Sequence, residues 1–319
     1  MKENTYKKPV IYQQRKHFLD CVEYLICSYI TSYGYNYHWL LYDSLGFYFN
    51  SKTNQIFSEN NTSKKKFYEN LERMFGVEIR NYSKDSTDQL IRKVIDSGSC
   101  LFIAGNGFYL PWVSNYQRNS NVHYFMLTNY SDDDKVFVID YVPEFKGWIR
   151  TTQIIASMKE VSFPSDCIEL SIPSLSTEIE EILSAELNEF HIGIIGKEVE
   201  SINISSGLFA IKNFLQALYN LNDEGVEFLE TWSLSLKSII DSKCSFLEFI
   251  YFMKNDLNYS INPVVFSTID QTINSWESFR ICLLKSKITG KYDAKKNIER
   301  LSRVYNMELE CADVLKKFL

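Results

Sequence analysis

Residues 17–34 read HFLDCVEYLICSYITSYG, and the way this stretch folds decides how the rest of the chain is read. Asp20 is a good N-cap, and Glu23 three residues later completes an Asp-x-x-Glu capping box, so a helix is expected to begin at Cys21. The helix continues through Leu25, Tyr29 and Ile30 and stops at Gly34, a residue suited to the left-handed position past a helix end. Cys21 then occupies the first turn, where the helix dipole and unpaired backbone N–H groups favour thiolate. Asp20 and Glu23 oppose that shift, so a nearby imidazolium has to supply much of the activation. The competing reading of Cys21 is a small buried apolar residue. Cys27, six residues on, lies roughly 240° around the helix and is expected in the core.

Working outward, His123 opens the apolar run VHYFML and Asp140 closes the run VFVID. A thiol at a helix start, with a histidine and a carboxylate arriving on strands, is what a nucleophilic cysteine needs: one group attacks, one moves the proton, one orients the ring. His17 and His38 are competing bases near Cys21, and His191 is expected to be structural. Asp132, Asp133 and Asp134 lack the glycine and distal glutamate of a calcium loop and read as a solvated turn.

The chain of 319 residues exceeds one typical domain, and 45% hydrophobic with 23% charged residues is ordinary globular composition. Seven cysteines without CxxC or Cys/His metal spacing argue against a disulfide framework and fit a reducing cytoplasm. The opening MKENTYKK is no signal peptide, and no apolar run approaches membrane-spanning length, so neither membrane nor export is expected. Through Ile172 basic and acidic residues balance at 19 each, so the later residues carry the whole net charge of −6. With no basic stripe, nucleic acid is not an expected partner. The clusters Lys7-Lys8, Arg15-Lys16 and Lys64-Lys65-Lys66 read as solvated loops.

The first half alternates helix and strand. NYHWLLYDSLGFYFN is broken by Gly46 into a helical and an extended piece. SKKKFYENLERMFG and the segment from Asp85 to Gly98 read as helices. SCLFIAG, VHYFMLTNY and KVFVIDY read as strands, the last two forming a hairpin through the Ser131–Asp134 turn. Helices followed by an antiparallel sheet give an α+β class. From Pro173 the period becomes helical: TEIEEILSAELNEF, SSGLFAIKNFLQALYNL, then Glu224–Asp241, Ser245–Asn255, Ser267–Lys287 and Tyr292–Leu319. The expectation is an α+β domain over residues 1–172 and an all-α domain over residues 173–319.

Three blocks carry a family resemblance. They are the cysteine-led, Gly-ended helix with the LYDSLGFYF segment; CLFIAGNGFYLPWVSNYQRN, a strand leading into an aromatic-Leu-Pro segment; and the histidine-led VHYFMLTNYSDDDKVFVID. Over roughly residues 12–150 the chain resembles the N-terminal domain of the butirosin biosynthesis protein H family, itself similar to C39-type, papain-like cysteine peptidases. The resemblance implies a papain-like fold and a cytoplasmic acyltransferase of natural-product biosynthesis. Such an enzyme moves an acyl group from the phosphopantetheine thioester of an acyl or peptidyl carrier protein, through an acyl-cysteine, to a free or carrier-bound amine. It implies no cofactor beyond the carrier's phosphopantetheine. Cys21 matches the nucleophile, His123 the general base and Asp140 the orienting carboxylate. The peptidases place a glutamine six residues before the cysteine; that position is Arg15 here. Gln14 and the Cys21 backbone N–H are therefore the expected oxyanion donors. Phe108, Tyr109, Trp112 and Tyr116 are expected to line the acyl or pantetheine channel. The same triad acting on water would give a peptidase or thioesterase, and a degenerate papain-like fold would give a binding protein.

Overall fold

The computed structural model describes residues 17–42, 45–58, 64–82, 87–97, 99–159, 167–171, 198–199, 203–220 and 228–318. The chain divides into two compact units, one of Met1–Tyr37 with Asn70–Ser176, the other of His38–Glu69 with Thr177–Leu319.

In the first unit, helix α1 (Cys21–Ser32) starts where local chemistry requires. The Asp20 carboxylate accepts from the N–H groups of Val22 and Glu23, both at 2.8 Å. Glu23 closes the box by accepting from the Asp20 N–H at 2.9 Å. Tyr33 is the C-cap and Gly34 follows at φ 87°. Numbering strands along the whole chain, this unit holds β3 (Glu78–Tyr82), β4 (Cys100–Asn106), β5 (Val122–Ser131), β6 (Lys135–Tyr141), β7 (Glu144–Arg150) and β8 (Cys167–Ser171). They form one antiparallel sheet in the order β3-β8-β4-β5-β6-β7.

Three of the six strands (β4, β5 and β6) were expected. The unexpected β7 runs straight through Gly147 as an edge strand.

Side chains alternate across the sheet, and the alternation sorts the layers. Leu101, Ile103, Phe125, Leu127, Val136 and Val138 pack on one face with Leu90, Ile91 and Val94 of a helix at Thr87–Asp96, and with Ile154 and Met158 of a helix at Thr151–Lys159. Helix α1 takes the other face. Its Tyr29 ring meets Phe102 edge-on at 5.8 Å and its Tyr24 ring meets Tyr141 at 5.1 Å.

The second unit corrects the expectation of an all-α domain. Short strands β1 (Tyr48–Asn50), β2 (Gln55–Phe57), β9 (Glu198–Val199) and β10 (Ile204–Ser206) form a four-stranded antiparallel sheet in the order β2-β1-β10-β9. Residues 38–69 therefore group with the later part of the chain, so a cut at residue 172 into two contiguous domains does not describe the division. Strands of two or three residues are too short for a period of two to register.

Phe47, Phe49 and Ile56 pack against Ile211 and Phe214 of a helix at Gly207–Tyr219. The same cluster takes in Trp232 of a helix at Phe228–Asn255, Trp276 and Phe279 of one at Pro263–Thr289, and Leu301 and Val304 of one at Ala294–Phe318. The Pro263–Thr289 helix carries both boundary signals: Asn262 caps it by accepting from the Val264 N–H at 3.0 Å, and Gly290 ends it at φ 63°.

The expected break near residue 242 is absent, because Phe228–Asn255 is one continuous helix. Its polar run is turned inward: Lys243, 2% exposed, bonds the Glu308 carboxylate at 2.6 Å, and the Trp276 indole N–H donates to the same oxygen. A matched buried charge thus occupies what reads in sequence as a helix end. The expected helix TEIEEILSAELNEF lies outside the described residues.

Candidate functional site

Strand β5 pairs with β4 in a register that sets His123 opposite Gly105. A side chain at position 105 would collide with Ser157 Oγ at 2.7 Å and the Phe125 ring at 2.8 Å, so glycine there lets the Thr151–Lys159 helix lie tight on β4 beside the histidine. On the next strand Asp140 stands at the end of β6. The two side chains meet: His123 Nε2 lies 2.5 Å from Asp140 Oδ2. Both are buried, His123 at 9% exposure and Asp140 at 1%.

A carboxyl group so deeply buried has to find all its partners in the protein. Asp140 Oδ1 accepts from the Val142 backbone N–H at 3.0 Å, and Oδ2 accepts from the Trp112 indole N–H at 2.7 Å in addition to its contact with His123. Trp112 comes from the segment joining β4 to β5, whose neck is closed by two bonds and tightened by a local third. Gly107 N–H donates to the Asn121 carbonyl at 2.8 Å. Asn106 donates through its amide to Ser120 Oγ at 2.7 Å and accepts from the Phe108 N–H at 3.0 Å. The Trp112 ring is stacked on Phe145 at 4.7 Å and set edge-on to Phe125 at 5.5 Å, which fixes where its N–H points.

Of the three expected site residues, the structure brings two together. His123 and Asp140 are in direct contact. Cys21 is half-buried at the first residue of α1, and that helix packs against β5 and β6. Because Tyr24 rests on Tyr141, the residue after Asp140, the start of α1 lies at the His123–Asp140 end of the sheet. It reaches that end from the other face: Asp140 alternates with Tyr141, and His123 shares its face with Phe125.

The expected channel residues separate into two groups. Trp112 is half-buried, with its indole N–H turned onto Asp140. Phe108 is 36% exposed and Tyr109 packs edge-on against it, while Tyr116 accepts from the Gln117 amide at 3.2 Å. Gln14 and Arg15 lie outside the described residues, as does His191. Of the rival bases, His17 is exposed. His38 belongs to the second unit, where its ring stacks on Phe252 at 4.8 Å and its Nε2 lies 3.4 Å from the Glu248 carboxylate. Asp133 pairs with Lys135 in the exposed turn and accepts from Ser131 at 2.5 Å, which lowers its carboxyl to about 2.

Sequence reasoning missed the two donors that hold Asp140. The Val142 N–H was accessible in principle, since an Asp two residues before a turn amide is a common local motif; the Trp112 indole bond is tertiary.

Four of the other described thiols are raised by burial. Burial pushes Cys100 and Cys311 up to about 12 and Cys244 up to about 11. Burial, together with the nearby Glu23 and Asp20 charges, also raises Cys27. A thiol raised in this way is almost wholly protonated near neutral pH and so lacks the reactive thiolate. Iodoacetamide near neutral pH is therefore expected to modify Cys21 ahead of these four, as read by peptide mass mapping over time. Labelling of Cys27 or Cys100 at the rate of Cys21 contradicts the assignment.

Compared with known protein-family models and with curated proteins, the chain matches none. Among the described residues no helix is long and apolar enough to cross a membrane.

Proposed function

We propose that the protein is a cysteine-dependent acyltransferase with a papain-like catalytic unit, in which Cys21 is the nucleophile, His123 the base and Asp140 the group that orients it. The observation that carries this reading is the buried His123–Asp140 pair, at the same end of the sheet as the first turn of α1, which holds Cys21 on the other face. With Nε2 engaged by Asp140, Nδ1 is the ring atom left to exchange a proton with the thiol.

The chemistry follows in two balanced steps. The Cys21 thiolate adds to the carbonyl of a carrier-bound thioester, the pantetheine C–S bond breaks, and the pantetheine sulfur leaves with a proton from the imidazolium. The acyl-Cys21 carbonyl is then attacked by an amine; His123 takes the amine proton, the C–S bond to Cys21 breaks, and an amide is released. Exchange of one thioester for another is nearly isoenergetic, so the first step demands little of the site. Exclusion of water favours amine over hydrolysis in the second.

The test of the transfer reading is the fate of the acyl group when an acyl-pantetheine thioester is offered with and without a primary amine. Amide in excess of free acid supports a transferase. Free acid alone, at a rate indifferent to the amine, makes the same residues a thioesterase or peptidase. A second reading, a papain-like fold that binds without catalysis, is favoured by α1 lying across the sheet from the His123–Asp140 pair; it predicts no turnover of either kind.

A further inference from the structure

We infer that Trp112 is a positioning residue: its indole N–H fixes the Asp140 carboxylate as an acceptor toward His123 and so sets the imidazole tautomer with the proton on Nε2 and the lone pair on Nδ1. The argument is a count of donors. Asp140 Oδ1 receives the Val142 N–H at 3.0 Å, and Oδ2 receives the Trp112 N–H at 2.7 Å. Neither donor can reverse its role, because an indole nitrogen and an amide nitrogen only donate.

With both oxygens already accepting, the contact of Oδ2 with His123 Nε2 at 2.5 Å is satisfied when Nε2 brings the hydrogen. Nδ1 is then the site that takes a proton. Trp112 can impose this because its ring has no freedom: Phe145 stacks on one side at 4.7 Å, Phe125 meets it at 5.5 Å, and the segment carrying it is pinned at its neck by Gly107, Asn121, Asn106 and Ser120. Its place against a carboxyl group 1% exposed, remote in sequence from both partners, has a consequence for chemistry that a lining residue lacks.

The tautomer assignment stands on this geometry alone; its kinetic consequence rests on the acyltransferase reading. The experiment uses the full chain with ¹⁵N-labelled histidine, and two-bond ¹H–¹⁵N spectra that distinguish protonated from unprotonated ring nitrogens. The His123 signals are identified by their loss in His123→Gln. The wild type is expected to show hydrogen on Nε2 and a bare Nδ1.

Trp112→Phe keeps the stacked ring and removes only the donor. It is expected to mix the tautomers and to slow acylation of Cys21 roughly tenfold, with KM for the thioester unchanged. In an Asp140→Asn background the same change is expected to add little, because Trp112 acts through that carboxylate. Phe145→Leu, which loosens the ring and spares the donor, is expected to shift the tautomers in the same direction by less, and supplies the reading if Trp112→Phe does not fold.

A wild type with hydrogen on Nδ1, or unchanged tautomers in both variants, overturns the inference. So does a rise in KM with no change in tautomer, which would make Trp112 a substrate-lining residue. A tautomer shift in a protein that never forms acyl-Cys21 supports the inference and overturns the acyltransferase reading.

Discussion

His123→Ala is expected to slow acylation of Cys21 by roughly a thousandfold or more, the scale at which a positioned acid–base group contributes to a reaction. Two losses combine. The imidazolium that would offset the unfavourable charges of Asp20 and Glu23 beside the thiol is gone, and so is the group that returns a proton to the leaving pantetheine sulfur. The variant also leaves the Asp140 carboxyl with two of its three partners, Trp112 and Val142, so the end of the sheet should hold its shape. Single-turnover acylation measured by mass, alongside a thermal melt, separates the catalytic effect from a folding one. Near-normal acylation by His123→Ala, with loss of acylation in His17→Ala, would make the strand histidine structural.

Asp140→Asn is expected to fold and to react roughly a hundredfold to a thousandfold more slowly. The physical cause is the same donor count that fixes the carboxyl. An amide has one oxygen to place among three donors approaching from two sides. If its nitrogen takes the Oδ1 position, it meets the Val142 N–H; if it takes the Oδ2 position, it meets the Trp112 N–H and drives the imidazole to carry its hydrogen on Nδ1, where it blocks proton transfer from the thiol. Either outcome puts one donor against another. Transthioesterification asks less of the base than aminolysis, so some acyl-Cys21 should still accumulate while amide formation falls further. His123→Ala and Asp140→Asn together are expected to be little worse than His123→Ala alone, since Asp140 acts through the ring. Additive losses in a rapid-quench comparison of the three variants would show that the two residues serve separate purposes.

How much of this was legible in the sequence depended on how local each feature is. The start of α1 is written within four residues: Asp20 and Glu23 bond each other's backbone with no help from the fold. The limits of the Pro263–Thr289 helix are equally local, at Asn262–Pro263 and Gly290, although the apolar period alone gave the shorter span Ser267–Lys287. Strands β4, β5 and β6 showed themselves by long apolar runs, and the pairing of His123 with Asp140 followed from their being neighbours.

What was illegible was long-range. Strands β1 and β10 hold three residues each and exist because Tyr48, Phe49 and Asn50 find partners at Ser206, Ser205 and Ile204, more than 150 positions away. Lys243 fell in the gap between two expected helices, Glu224–Asp241 and Ser245–Asn255; its partner Glu308 lies on another helix. Trp112 read as one of four aromatics lining a channel, and nothing near it in sequence indicates that its N–H reaches Asp140.

The central claim, that Cys21 carries an acyl group in the course of the reaction, is tested most directly by intact-protein mass after mixing with an acyl-carrier thioester, followed by peptide mapping. The account predicts a single added acyl mass on the wild type, located on the peptide containing Cys21, discharged by a primary amine and absent from Cys21→Ser. A wild type that gains no mass from any acyl-carrier thioester, or amide formation by Cys21→Ser at the wild-type rate, would contradict it.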